Sequence, residues 1–328
     1  MKKASLYLFI SLASFSAKSQ SDSIKNYVTT ALDLMKTRSV NKNKINWQTV
    51  YASSYQSIAN AKTIGDTYPT LESVIKQLGD AHSNFYRPEQ VSFILKRYGE
   101  NGQKLPLVEG KIIDQQYGYF TIPAIGCYNF IDWQEYVSFA LDEIKKIDQQ
   151  PLKGWIIDLR ANEGGMLLPM YAALSPFVQN KKLMGSRNAD GKDTYFIMKK
   201  GVVYEGKNVA HRFDVKFSKL KNQNKPIVVL VSKKTASSGE FITIALTGLK
   251  NVNLLGVNTM GLTSANQEHR LADNAFLVLT EGSTIDYKGK AYDVVGQGIT
   301  PNIRFEDTKD DEVLFKKAKE LINGNIKK

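Results

Sequence analysis

Three short apolar runs constrain this chain more than any other feature: YFTI from Tyr119, WIIDL from Trp155 and IVVLV from Ile227. Each is followed by a segment with helical spacing: WQEYVSFALDEIKKI, GGMLLPMYAALSPFV and SSGEFITIALTGL. Strands that are apolar on consecutive residues rather than alternate ones are buried on both faces. A strand feeding a helix, repeated along the chain, implies a parallel sheet covered on both sides. The sequence therefore predicts an α/β fold with a mostly parallel sheet, and NVNLLGV reads as a further strand of it.

The segments around this pattern read differently. From Ser23 to Leu78 apolar residues recur at helical spacing (Ile24, Val28, Ala31, Met35; then Leu71, Val74, Ile75, Leu78), with Thr70 and Gly79 at cap positions. The stretch from Lys192 to Asn224 is polar and reads as irregular. AFLVLTEGSTIDYKGKAY reads as a hairpin and DDEVLFKKAKELING as a closing amphipathic helix. These readings divide the chain into a leader over 1–19, a helical region over 20–100 and an α/β core over 101–328.

The leader rests on Lys2 and Lys3, an apolar stretch over 6–15, and Ala17 and Ser19 at the spacing of a cleavage site, which together read as a secretory signal. The mature chain is expected to begin near Gln20, exported to the periplasm or the extracellular space. No other segment approaches the roughly 20 apolar residues of a membrane-spanning helix. No cysteine near the cleavage point offers a lipid anchor. The single cysteine, Cys127, sits among Ile125, Tyr128 and Phe130 and reads as buried filler. The formal charge of +12 drops by three when Lys2, Lys3 and Lys18 leave. The remaining lysines are dispersed, with no basic stripe and no motif of a nucleic-acid binder.

In open α/β sheets, sites form where the carboxyl ends of strands meet helix starts. Two strand ends here carry unusual sequence. In IIDLRANEGG, Gly164 and Gly165 let the backbone turn tightly and present N–H donors suited to an oxyanion, or simply permit a turn beside an Asp158–Arg160 ion pair. In KKTASSGE, Ser237 and Glu240 have the spacing of a capping box, while the Ser237 hydroxyl could serve as a nucleophile with the Ser238 N–H beside it. Serine needs a base. Of three histidines, His211 (AHRFD) and His269 (QEHRL) read as solvated surface, leaving His82 in LGDAHSNFY. No His, Cys or carboxylate set has metal-ligand spacing, and no cofactor is expected.

In order and spacing, LGDAHSNF, IIDLRANEGG, VLVSKKTASSGEFITIAL, GVNTMGLTSAN and GQGITPNI resemble the C-terminal processing (tail-specific) serine peptidases, which include the tricorn core protease. The resemblance implies a crotonase-like spiral core, Ser237 as nucleophile, and Ser238 with Gly164 and Gly165 at the oxyanion hole. One branch of that family takes its base from a lysine in T-x-G-K; here that position is Leu262. The chain thus resembles the tricorn-like branch, whose early histidine matches His82. That branch also uses a late acidic residue. Val295 stands where it would fall, leaving Asp293, Asp286 and Asp80 as candidates. A peptide-binding PDZ module has no room between His82 and Ile156. The resemblance implies an exported serine peptidase acting on peptide or protein substrates. A binding module that retains the peptidase fold, and an acyl-thioester enzyme, are the alternatives.

Overall fold

The computed structural model describes residues 6–216, 219–306 and 310–324, with side chains from residue 22 onward. The expected leader lies outside those described side chains. In chain order the elements are helices α1 (Leu6–Arg38), α2 (Trp47–Ser57) and α3 (Tyr68–Leu78), strand β1 (Asn84–Tyr86), helix α4 (Pro88–Leu95), strands β2 (Gly110–Ile113) and β3 (Tyr117–Thr121), and helix α5 (Phe130–Ile147). Strand β4 (Gly154–Asp158), helices α6 (Leu167–Ala173) and α7 (Ser175–Val178), and strands β5 (Met184–Asn188), β6 (Asp193–Lys199), β7 (Val202–Glu205) and β8 (Asn208–Arg212) follow. The chain ends with β9 (Ile227–Val231), α8 (Ser238–Thr247), β10 (Val252–Gly256), β11 (Ser264–Arg270), β12 (Phe276–Asp286), β13 (Ala291–Tyr292), β14 (Ile303–Arg304) and α9 (Asp311–Ile322).

The chain divides into two compact units, one of residues 1–91 with 266–281 and one of 92–265 with 282–328. The first contains α1 to α3. Helix α3 is amphipathic, burying Leu71, Val74, Ile75 and Leu78, and stops at Gly79, whose φ of 71° is a left-handed conformation that glycine adopts without steric cost. These side chains pack with Ile24, Val28, Leu32 and Met35 of α1 and with Leu277 and Leu279 of β12. Strand β1 pairs antiparallel with β12, Phe85 opposite Leu277. A segment almost 200 residues downstream thus completes the helical region.

The second unit contains the expected parallel sheet, in the order β14-β10-β9-β4-β3-β2, with only β2 antiparallel. Every residue of β4 and β9 is buried, and burying side chains such as Ile157, Val229 or Leu230 contributes about 1.5–3 kcal/mol each. On one face α5, α6 and α8 supply Trp133, Tyr136, Met170, Ile242 and Leu246, and on the other α9 supplies Leu314 and Leu321.

The fold is α/β, but the expectation of a mostly parallel sheet needs correction. Strand β12 pairs antiparallel with β5 (Thr284 opposite Ser186), which continues through β6, β7 and β8. The stretch expected to be irregular, 192–224, therefore contains three antiparallel strands. Only Met198 of β6 and no residue of β8 is buried, so they lack the apolar alternation by which a strand is recognised.

Candidate active site

Strands β4 and β9 are parallel neighbours with Asp158 opposite Leu230, so the loops that follow them leave the sheet side by side. These are the loops carrying RANEGG and KKTASS. Hydrogen bonds tie them together. The Ala236 N–H donates to the Asn162 carbonyl at 3.0 Å. The Thr235 hydroxyl donates to the Leu159 carbonyl at 2.8 Å, and the Ser232 hydroxyl to that of Arg160 at 2.6 Å. Thr235 thus secures the loop rather than capping the helix.

At the start of α8, Ser237 has φ 49° and ψ −122°. A non-glycine residue here stores on the order of 1–3 kcal/mol of strain, and such residues cluster at functional sites. The Glu240 N–H is taken by the Ser237 carbonyl at 2.8 Å, and Ser237 and Glu240 complete the capping box that their spacing predicts. The Glu240 carboxylate accepts the Ser237 N–H at 3.0 Å. The same carboxylate accepts the Gly261 N–H at 2.8 Å, the Leu262 N–H at 2.7 Å and the Thr259 hydroxyl. Glu240 is fully buried. Its part in a capping box is legible from spacing; its grip on 259–262 is not.

Gly164 abuts the elbow, since a Cβ there would lie 2.8 Å from Ser237 Cβ. Its N–H is already engaged, donating to Asn162 Oδ1 at 2.9 Å. Gly165, with φ 100°, passes so close to Ile125 that a Cβ would fall 2.2 Å from the Ile125 carbonyl oxygen; no other residue fits there. The Ser238 hydroxyl donates to the Gly165 carbonyl at 2.7 Å and fixes this turn against α8. Among the described residues, the Gly165 and Ser238 N–H groups donate to no protein acceptor. Asn162, which organises the turn with its carboxamide, is a residue the sequence reading missed. Its signal was an asparagine two residues before a glycine pair.

His82 and Asp80 lie in the other unit, in the turn between α3 and β1. Asp80 Oδ1 accepts the N–H groups of His82 (3.1 Å) and Ser83 (2.5 Å) and the Thr280 hydroxyl (2.9 Å), while Oδ2 accepts the Ser83 hydroxyl (2.9 Å). Asn266 Nδ2 donates to the His82 carbonyl at 3.0 Å. Asp80 therefore shapes the main chain that carries His82. Asp286 serves the β12–β13 hairpin, accepting the N–H groups of Lys288 and Lys290. Asp293 is exposed and makes no hydrogen bond among the described residues.

The two remaining histidines are not the solvated surface expected of them. His269 Nε2 lies 2.5 Å from Glu281 Oε1 between β11 and β12, both side chains largely covered. The His211 ring packs 4.7 Å from Phe130 and 4.6 Å from Phe213, and burial lowers its pKa. Cys127 is 6% exposed, its thiol pushed up to about 12 by burial with Asp132 beside it. Among the described residues no group of three or more His, Cys, Asp or Glu could hold a metal ion, and no helix is long and apolar enough to cross a membrane.

A cavity of about 830 Å³ opens at the carboxyl ends of β3, β4, β9 and β10, where Thr121, Asp158, Ser232 and Val257 line it. Asn162 is shared between this cavity and the glycine turn, and Lys233 and Lys234 stand exposed along it. Arg160 is held by Asp158 (2.6 Å) and Asp311 (2.8 Å), the ion pair expected of IIDLR with a second carboxylate added.

The sequence pattern of peptidase family S41 matches residues 116–305, spanning the glycine turn, the elbow and the 259–262 segment. The chain belongs to peptidase family S41. Its relatives include the nisin-resistance protein of Lactococcus lactis subsp. lactis, 27% identical over 295 residues that cover 90% of this chain and 87% of the relative. The carboxy-terminal-processing protease of Bartonella bacilliformis is 28% identical over 200 residues, 61% of this chain. This S41 chain aligns with only 40% of that protease's length. Among solved structures, a lipoprotein from Streptococcus agalactiae shares the fold with a TM-score of 0.75 at 21% identity, covering 92% of this chain and 97% of that one. Membership in S41 makes the chain a serine-type peptidase of the C-terminal processing family.

Proposed function

We propose that this chain is an exported serine peptidase that cleaves peptide bonds through an acyl-enzyme, with Ser237 as nucleophile and His82 as general base. The observation that carries the reading is the Ser237 elbow: a strained residue at a helix N-terminus, beside two N–H groups without protein acceptors. In this mechanism His82 takes the hydroxyl proton as Ser237 attacks the peptide carbonyl, then delivers it to the leaving amine, and water hydrolyses the ester by the same route. The Ser238 and Gly165 N–H groups stabilise the oxyanion, with the positive end of α8 behind them. Gly164 is better read as the residue whose missing Cβ admits Ser237, since Asn162 holds its N–H. Leu262 supplies only a main-chain N–H to Glu240, and leucine cannot replace the lysine of the other branch. Asp80 is the acid we assign to the histidine, acting through the main chain. The cavity beside Asn162 gives a substrate chain room, and the crotonase-like spiral remains our reading of the α/β core. Export rests on the basic, apolar and small-residue pattern of residues 1–19.

The experiment is cleavage of a mixed peptide library, with nisin included because of the relative's name. Wild-type protein is expected to turn over some member of it, and Ser237→Ala and His82→Ala are each expected to lose at least about 1,000-fold in kcat/KM. Full activity in either variant would refute its assigned role.

A further inference from the structure

The buried Glu240 does more than begin a helix. Its four acceptor positions are all used, and none of its partners is a cation. Oε2 accepts the N–H groups of Ser237 and Leu262; Oε1 accepts the Gly261 N–H and the Thr259 hydroxyl. One end of this arrangement is the strained elbow. The other is the strap of residues 259–262, which is itself seated with little freedom. The Met260 N–H donates to the Thr235 carbonyl at 2.9 Å, the Ile299 N–H to Thr259 Oγ1 at 2.7 Å, and the Gly296 N–H to the Gly261 carbonyl at 3.0 Å. A Cβ on Gly261 would lie 2.5 Å from Gly296 backbone atoms, so the strap lies directly on the GQGI element.

We propose that Glu240 is the positioning residue of the nucleophile: its carboxylate locks the Ser237 backbone to the 259–262 strap, so that the aim of the hydroxyl depends on how the strap is seated. This rests on the peptidase reading above. Three observations carry it. The Ser237 N–H, which could otherwise point toward an oxyanion, is drawn to the carboxylate and leaves that duty to Ser238 and Gly165. The elbow's unusual dihedrals are restrained at the amide where a bond acts most directly on them. The strap in turn is fastened to 296–299, which connects GLTSAN and GQGI to the nucleophile through the Glu240 carboxylate, without either segment supplying a reacting group.

A positioning role and a merely structural one separate when turnover is measured per competent site. Active sites are titrated with a fluorophosphonate, and kcat and KM for a cleaved peptide are then expressed per titrated site. Glu240→Gln replaces one acceptor oxygen with a donor facing N–H groups. It is expected to lower kcat per titrated site by about 100-fold, as for an ångström-scale misplacement of a reacting group, with KM within about threefold. Thr259→Val removes the two bonds of that hydroxyl, to Glu240 and from the Ile299 N–H, keeps the carboxylate and its bond to Ser237, and is expected to lower kcat per site by roughly tenfold, again without moving KM. If Glu240→Gln does not fold, Thr259→Val decides. A lower titre with unchanged kcat per site in both variants would make Glu240 structural only and overturn the proposal. A wild-type protein that neither labels nor cleaves would instead overturn the peptidase reading, and this inference with it.

Discussion

Two tight turns carry the residues proposed to do the chemistry, and each is shaped by a single carboxylate. Asp80 gathers the N–H groups of His82 and Ser83, the Ser83 hydroxyl, and a hydroxyl from Thr280. Glu240 gathers the N–H groups of Ser237, Gly261 and Leu262 and a hydroxyl from Thr259. In both, an acid grips the main chain of the residue that matters and anchors it to a threonine farther along the chain. What differs is access to water: Glu240 is fully buried, whereas Asp80 is half-buried. The same device should therefore be costly to break in one turn and tolerant in the other.

The largest effect is expected at Glu240. Removing the acid with Glu240→Ala leaves four donors without an acceptor, those of Thr259 and Gly261 buried, which should cost at least about 3 kcal/mol in urea unfolding. Asp80→Ala, whose His82 and Ser83 donors can turn to water while the Thr280 hydroxyl keeps Asn266 Oδ1, should cost about 1 kcal/mol. A larger loss at Asp80 would break the comparison. Next in size, Asp80→Asn keeps one acceptor oxygen and loosens the His82 turn, so kcat/KM should fall about tenfold while the urea midpoint barely moves. An unchanged kcat/KM would show that the turn needs no ionised acid.

A smaller effect lies outside both turns, at His211. Burial lowers its pKa below the ordinary 6.5, so the unfolded chain takes up the proton more readily than the folded one. Stability from this group is complete above about pH 6.5 and is lost as pH falls from there through the lowered folded pKa. Melting curves of His211→Phe should accordingly lose less stability on acidification than wild type, with peptide kcat unchanged at neutral pH. The smallest expected signal is Cys127, whose thiol, pushed up to about 12, should stay inert to a thiol reagent at pH 8 until the chain is unfolded.

What could be read in advance follows the same physics. Strands β4 and β9, apolar apart from Gly154 and Asp158, and the amphipathic α3 announce themselves because burial and periodicity are written locally. The antiparallel partners of β12 are not, since Thr284 meets Ser186 across almost a hundred residues and no local pattern encodes that pairing. His269 looked like surface because Glu268 and Arg270 flank it. On a strand those neighbours face the opposite side, and both are exposed while His269 is covered. At the site, the serine, the glycines and the histidine were legible as residue types. Asn162 was not, because its role appears only once its Oδ1 meets the Gly164 N–H, and the strap bonds of Glu240 span about twenty residues.

The central claim is that Ser237 is a nucleophile activated by His82. Its most direct test is to react the intact protein with a fluorophosphonate and locate the adduct by peptide mass spectrometry. The account predicts a single adduct on Ser237, absent in Ser237→Ala and slowed at least about 100-fold in His82→Ala. An adduct on another residue, or undiminished labelling of His82→Ala, would contradict it.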